Sequence, residues 1–214
     1  MTFSFCLQEI NCPDQIVHES FSRLAPDRWM PEDKGSRTRR LSRVKTSESM
    51  ELTWINNGEF YQSPKVNKVN GGIQRKYQPL EEEVANSKWL QTLIWQMSTI
   101  LELSLGTLFE IHQFRVPCSP YTFGYPAPEG RHQDGRRYVA IVHIHQENIT
   151  GAVTQLFKSG DREERPFLEL SLQPGNLLVF NDERYFHFTT PFQAASRDGC
   201  GFRDVFILTV PNLD

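Results

Sequence analysis

Apolar positions change their period once along this chain. Between Pro79 and Leu101 they recur at helical spacing: Val84, Leu90, Leu93, Ile94, Met97 and Leu101 fall on one stripe, which predicts an amphipathic helix. Pro79 suits its first turn, and Glu81, Glu82 and Glu83 put negative charge at the positive end of the helix dipole. Beyond it the period becomes two. The runs TLFEIHQFRV, RYVAIVHI, GAVTQLF, PFLELSL, NLLVFND, YFHFTTPF and RDVFILTV are short and rich in β-branched and aromatic residues. Gly, Pro, Asn or Asp separates most of them. Closely spaced strands with no helical pattern between them predict a mainly β fold, a sandwich or jelly roll. The N-terminal third reads as polar and irregular, with PEDKGSRTRRLSR its most charged piece.

At 214 residues the chain suits one well-buried core, so a single domain over 1–214 is expected. Its β core would occupy about 107–210, with helical and irregular support from 1–106. A net charge of −3 gives no electrostatic reason to expect nucleic acid or an anionic membrane surface. No apolar segment approaches the roughly 20 residues that span a bilayer. The N-terminus, MTFSFCLQEINCPDQ, lacks a basic leader followed by a long apolar stretch, so no secretory signal is expected. Cys6, Cys12, Cys118 and Cys200 are scattered without a CxxC pair. They read as free thiols of a reducing, cytoplasmic protein.

Candidate chemistry begins in PEGRHQDGRRYVAIV, where His132 and Asp134 stand two residues apart before an apolar run. On a strand, side chains two apart share a face, so both can converge on one atom. His187, in NDERYFHFTTPF, is the best third ligand. Two imidazoles and a carboxylate on one face of a metal leave its other positions open, as in non-haem Fe(II) oxygenases. The bland alternative makes His132 and Asp134 a turn-capping pair and His187 a hydrogen-bonded core histidine. Three candidates in an all-β context, with an arginine downstream, favour the metal site. That arginine is Arg203, at the start of the last run, where a guanidinium can hold a carboxylate through two parallel hydrogen bonds. Its alternative is an ion pair with Asp204, and Arg197, in the loop AASRDGCG, competes for the same role. A rival metal set is His143, His145 and Glu147 in HIHQE, loosely like a cupin motif but with the Glu too close to the second His. Because His143 and His145 alternate with Val142 and Ile144, they fit one exposed or half-buried strand face.

In order and spacing, HQDG, FHFTTP and GFRDVFILTV resemble the Fe(II)/2-oxoglutarate-dependent dioxygenases typified by the bacterial L-isoleucine 4-hydroxylase. Upstream, SRTRRLSR, FYQSPKVNKVNGGIQRKY and IHQFRV resemble segments of the same family, so the likeness runs from about Ser36 to Val210. The resemblance implies a double-stranded β-helix, or jelly roll, with flanking helices. It implies that His132, Asp134 and His187 hold Fe(II), and that Arg203 takes the distal carboxylate of 2-oxoglutarate. With O2 as the second cosubstrate, a small molecule would be hydroxylated and succinate and CO2 released. The family points to a free aliphatic L-amino acid such as isoleucine, leucine or methionine.

The resemblance also changes the reading of the upstream polar segments. By composition SRTRRLSR is a solvated charge run or a nucleic-acid patch; in the family's arrangement it is ordered and brings arginines to the active-site mouth. In IHQFRV the strand period puts Gln113 and Arg115 on one face and His112 and Phe114 on the other. Gln113 and Arg115 are thereby candidates for the polar end of a substrate, against a purely structural hydrogen-bond network. Two other functions stay open: a cupin-like metal-binding isomerase or sensor, indifferent to 2-oxoglutarate, and an oxygenase of the same superfamily acting on a peptide, nucleic acid or carrier-bound substrate. The acidic balance argues against nucleic acid.

Overall fold

The strands that alternation predicts are present, together with others that it hides. The computed structural model describes residues 3–49, 51–55 and 57–212. In chain order the elements are β1 (Phe5–Glu9), α1 (Gln15–Ser20), β2 (Thr38–Thr46), β3 (Leu52–Ile55), β4 (Glu59–Phe60), β5 (Arg75–Lys76), α2 (Glu82–Ala85) and α3 (Lys88–Ile100). Then follow β6 (Leu108–Cys118), β7 (Tyr138–Glu147), β8 (Ile149–Gly151), β9 (Thr154–Phe157), β10 (Leu168–Leu170), β11 (Asn176–Asn181), β12 (Phe186–Thr189), β13 (Phe192–Ala194) and β14 (Gly201–Val210).

Among the described residues a seven-stranded sheet runs β1-β11-β7-β14-β6-β2-β3, antiparallel throughout. A smaller sheet, β10-β9-β12, and two short ribbons, β13-β8 and β4-β5, complete it. Alternation gives the large sheet two apolar faces. Phe109, Ile111, Val142, Leu177, Val179, Phe206 and Leu208 pack against Leu90, Leu93, Ile94 and Met97 of α3 and Val17 of α1. Each of these fully buried helix side chains contributes roughly 1.5–3 kcal/mol through area removed from water. On the other face Val139, Ile141, Leu178 and Phe180 meet Leu156 of β9, and the two sheets close on each other as a jelly roll.

Several expectations need correction. The single helix from Pro79 is two, because Ser87 ends the first by donating to the Val84 carbonyl (2.8 Å) and caps the second by accepting from the Leu90 N–H (3.3 Å). GAVTQLF divides into β8 and β9, and YFHFTTPF into β12 and β13. The N-terminal part is not merely helical and irregular support: β1, β2 and β3 belong to the large sheet, and SRTRRLSR supplies most of β2. His143 and His145 do not share a face. A β-bulge at Asp204/Val205 pairs His145 with Asp204 and His143 with Val205, leaving Ile144 as the extra residue. His143 then meets Leu172 on the inner face, while His145 lies beside His18 of α1.

Candidate metal and carboxylate site

A cavity of about 110 Å³ lies on the inner face of the large sheet. His132, Asp134 and His187 all line it, and each offers a ligand atom within 4.8 Å of the others. The mechanism of convergence differs from the one the spacing suggested. His132 and Asp134 precede β7, which starts only at Tyr138. His132 is instead joined to His187 on β12 by a two-way backbone bridge, His132 N–H to His187 O (3.0 Å) and His187 N–H to His132 O (2.8 Å). The bridge sets the two rings 4.1 Å apart between centroids. Asp134 is brought in by Asp182, just past β11, whose carboxylate accepts from the Asp134 N–H (3.1 Å) and the Arg136 N–H (3.0 Å). Gly135 completes the turn at φ +69°, in the left-handed region, and a Cβ there would come 3.0 Å from Val66.

Each ligand atom is aimed by its neighbours. The His132 Nδ1–H donates to the Gly130 carbonyl (2.8 Å), which fixes the tautomer and leaves the Nε2 lone pair free. That Nε2 lies 3.8 Å from Asp134 Oδ1, and His187 Nε2 lies 3.6 Å from Asp134 Oδ2. Asp182 Oδ1 faces the other nitrogen of His187 at 3.6 Å. Burial alone would lower the His187 pKa, but the carboxylates of Asp182 and Asp134 outweigh it and raise it. For Asp134, burial pushes upward and the two imidazoles pull further downward, so its pKa is lowered. Three donors with this chemistry suit a divalent metal.

Arg203, on β14, enters the same cavity. It is 3% exposed, and neither Nε nor Nη2 has a hydrogen-bond partner. Burial pushes its pKa down to about 10, so it stays protonated near neutral pH. A buried guanidinium with unused donors can take an anion that enters the cavity. It does not pair with Asp204, whose carboxylate faces the other side of the sheet and binds Arg115 through two 2.7 Å hydrogen bonds. Arg197 is exposed in the loop before β14.

The face of β6 that carries Gln113 and Arg115 is not the one that lines the cavity. Gln113 and Arg115 do lie together, but towards the helices, where Gln113 donates to Ser20 Oγ (2.7 Å) and Arg115 binds Asp204. The alternate residues of β6, Glu110, His112, Phe114 and Val116, line the cavity. The upstream segments also contribute Arg37, Arg39, Phe60, Gln62 and Arg75. Arg39 donates to Tyr77 Oη (3.2 Å) and to His112 Nδ1 (2.7 Å), so the neutral His112 carries its proton on Nε2. Burial, then the Arg39 charge, holds the His112 pKa well below the usual range. The rival HIHQE set does not converge. His143 is fully buried, donates Nδ1–H to the Leu172 carbonyl (2.6 Å), and is kept neutral by burial and Arg203, which push its pKa to about 4.

A jelly roll with two imidazoles and a carboxylate around one point has the donor set of a mononuclear non-haem iron protein. A model of the 2OG-Fe dioxygenase family matches residues 18–209, and the chain belongs to that family. The family uses Fe(II), 2-oxoglutarate and O2. No curated protein matches the chain. Among solved structures, it is similar to a bsmA homolog from Methylobium petroleophilum PM1, at 24% identity and TM-score 0.76, covering 92% of this chain and 80% of that one. IDO from Bacillus thuringiensis follows at 17% identity and TM-score 0.74, covering 93% and 82%. A Pseudomonas putida prolyl-4-hydroxylase shares 15% identity at TM-score 0.51, covering 99% and 94%. These likenesses establish the fold. No helix among the described residues is long and apolar enough to cross a membrane.

Proposed function

We propose that the protein hydroxylates a free aliphatic L-amino acid, with His132, Asp134 and His187 holding Fe(II) and Arg203 holding the distal carboxylate of 2-oxoglutarate. One observation carries this reading: the three convergent donors and the unpartnered Arg203 guanidinium open onto a single cavity. When bound, Fe(II) with 2-oxoglutarate supplies the oxidising power that inserts one oxygen atom of O2 into a C–H bond, with succinate and CO2 released. The chain's own residues bind, orient and exclude water. Val139, Ile141, Val205 and Ile207 give the cavity an apolar floor that keeps water from the reacting carbon. Glu129 lines the cavity with its carboxylate 3.3 Å from His132 Nε2, and Arg39 of β2 and Arg75 of β5 present cations to a carboxylate.

The test is substrate-dependent succinate release with a panel of free L-amino acids and their D-isomers. At least one aliphatic L-amino acid is expected to couple succinate release to its own hydroxylation. Its D-isomer should be far poorer, because inversion misplaces either the charged groups or the target C–H. His132→Ala, Asp134→Ala and His187→Ala should each abolish turnover while the circular dichroism spectrum stays unchanged. Failure of every free amino acid alongside turnover of a peptide or carrier-bound one would refute the substrate assignment. Full activity of Asp134→Ala at limiting metal would refute the ligand set.

A further inference from the structure

Five arginines line the cavity, and the structure supplies countercharges to only some of them. Arg37 binds Asp27 at 2.7 Å, and Arg136 binds Glu110 at 2.6 Å. Arg39 lies 3.8 Å from the same Asp27 and gives two of its nitrogens to Tyr77 and His112. Arg203 and Arg75 remain. Arg75 is 1% exposed, makes no ion pair among the described residues, and leaves its Nε without a partner. It is nevertheless held in place. Its Nη2 donates to Gln62 Oε1 (3.0 Å), the Asn67 amide donates to the same oxygen (3.0 Å), and its guanidinium lies 4.7 Å from the centre of the Phe60 ring.

A fixed, dehydrated cation facing a cavity is costly unless an anion arrives. Arg203 is answered by the cosubstrate, on the reading above, and Arg75 has no such answer. We infer that Arg75, oriented by Gln62 and Asn67 on the excursion between β4 and β5, is the specificity-determining residue that binds the α-carboxylate of the amino-acid substrate. This rests on the free-amino-acid reading and adds the residue that selects an acid over its neutral analogues. The excursion also touches the proposed metal-ligand turn, since Gly135 packs on Val66 and the Gln62 amide faces the Asp134 carbonyl at 3.5 Å. Substrate held by Arg75 is thereby registered against the reacting centre.

The experiment uses the anaerobic protein loaded with Fe(II) and 2-oxoglutarate and follows the shift of its metal-to-cosubstrate absorption band. The probes are L-leucine, L-isoleucine and L-methionine and their carboxamides, with wild type, Arg75→Gln and Arg75→Lys. At least one acid should bind wild type roughly tenfold or more tightly than its amide, as expected for a charge-assisted bidentate contact. Arg75→Gln should erase that preference while 2-oxoglutarate affinity stays within about twofold, and Arg75→Lys should restore part of it. Removing an uncompensated buried charge should not lower the melting temperature of the substrate-free protein. A lower melting temperature with the acid preference intact would make Arg75 structural and overturn the inference. Equal binding of acids and amides would overturn it while leaving the amino-acid reading standing. Binding of no acid at all would overturn both.

Discussion

Arg203 and Arg197 belong to the same stretch of chain and differ in what surrounds them. Arg203 is buried with idle donors in the cavity, whereas Arg197 is exposed in a loop. Truncating one partner of a buried, hydrogen-bonded charge pair costs about 2–5 kcal/mol. Arg203→Ala is therefore expected to weaken 2-oxoglutarate at least roughly tenfold while Fe(II) affinity holds, and Arg197→Ala to change neither. Titration of both ligands checks this; the opposite pattern would transfer the role to Arg197. Asp182 contributes differently, because it touches the turn that carries the proposed ligand Asp134 and does not line the cavity. Without its carboxylate the Asp134 and Arg136 N–H groups lose their acceptor and His187 loses its anionic neighbour. Asp182→Ala should lower Fe(II) affinity about 10–100-fold with 2-oxoglutarate still able to bind the loaded protein. Unchanged metal affinity would show that the turn holds its shape without Asp182.

Among the elements, β2 shows most clearly what the sequence conceals. Strands β6, β7, β11 and β14 are legible because their apolar residues dominate or alternate, and burial on two faces of one sheet follows directly. β2 reads TRRLSRVKT, so period-two logic finds no apolar face. Arg39 is buried and Arg40 and Arg43 are half-buried because partners distant in sequence meet them: Arg39 reaches His112, Arg40 reaches the Pro79 carbonyl and Glu81, and Arg43 reaches Glu110. Nothing local encodes those pairings. The same holds for the bulge that parts His143 from His145, and for Asp182, whose role depends on the turn it supports. His132, Asp134, His187 and Arg203 could be picked out of the sequence as candidates, and the fold does bring them to one cavity, but the bridge that joins His132 to His187 was not legible. Parity in β6 was legible too, but not which side of the sheet carries the cavity. Asp27, which holds Arg37 and Arg39 at the start of β2, makes this dependence measurable. Burial would raise its pKa, but the Arg37 and then the Arg39 guanidinium outweigh it and lower it. A lowered carboxyl pKa stabilises the fold above the unfolded value of about 3.9, and that contribution is lost as pH falls through the folded value. Asp27→Asn should thus be less stable than wild type by about 3 kcal/mol or more at neutral pH. In urea denaturation the gap should close as the pH drops below about 4. A gap independent of pH would show that the carboxylate charge is not what holds β2.

For the molecule as a whole, the unanswered charges make the ligand-free state the less stable one, and ligands that bind only the folded chain must raise its stability. A ligand at a hundred times its dissociation constant adds about 2.7 kcal/mol. In a chain of this size that corresponds to roughly 5–11 °C in melting temperature, at about 2–4 °C per kcal/mol. Mn(II) serves as a divalent probe that does not turn over. The metal alone should raise the melting temperature through His132, Asp134 and His187, and 2-oxoglutarate should add a second increment only when metal is present. Succinate, which keeps a carboxylate for Arg203 but lacks the 2-keto group, should add less. The variants separate the two increments. Arg203→Ala should keep the metal increment and lose most of the second, whereas Asp134→Ala should lose both, and a chelator should return wild type to its starting value. A 2-oxoglutarate increment that survives in Asp134→Ala, or that needs no metal, would mean that the guanidinium and the three donors do not serve one bound cosubstrate.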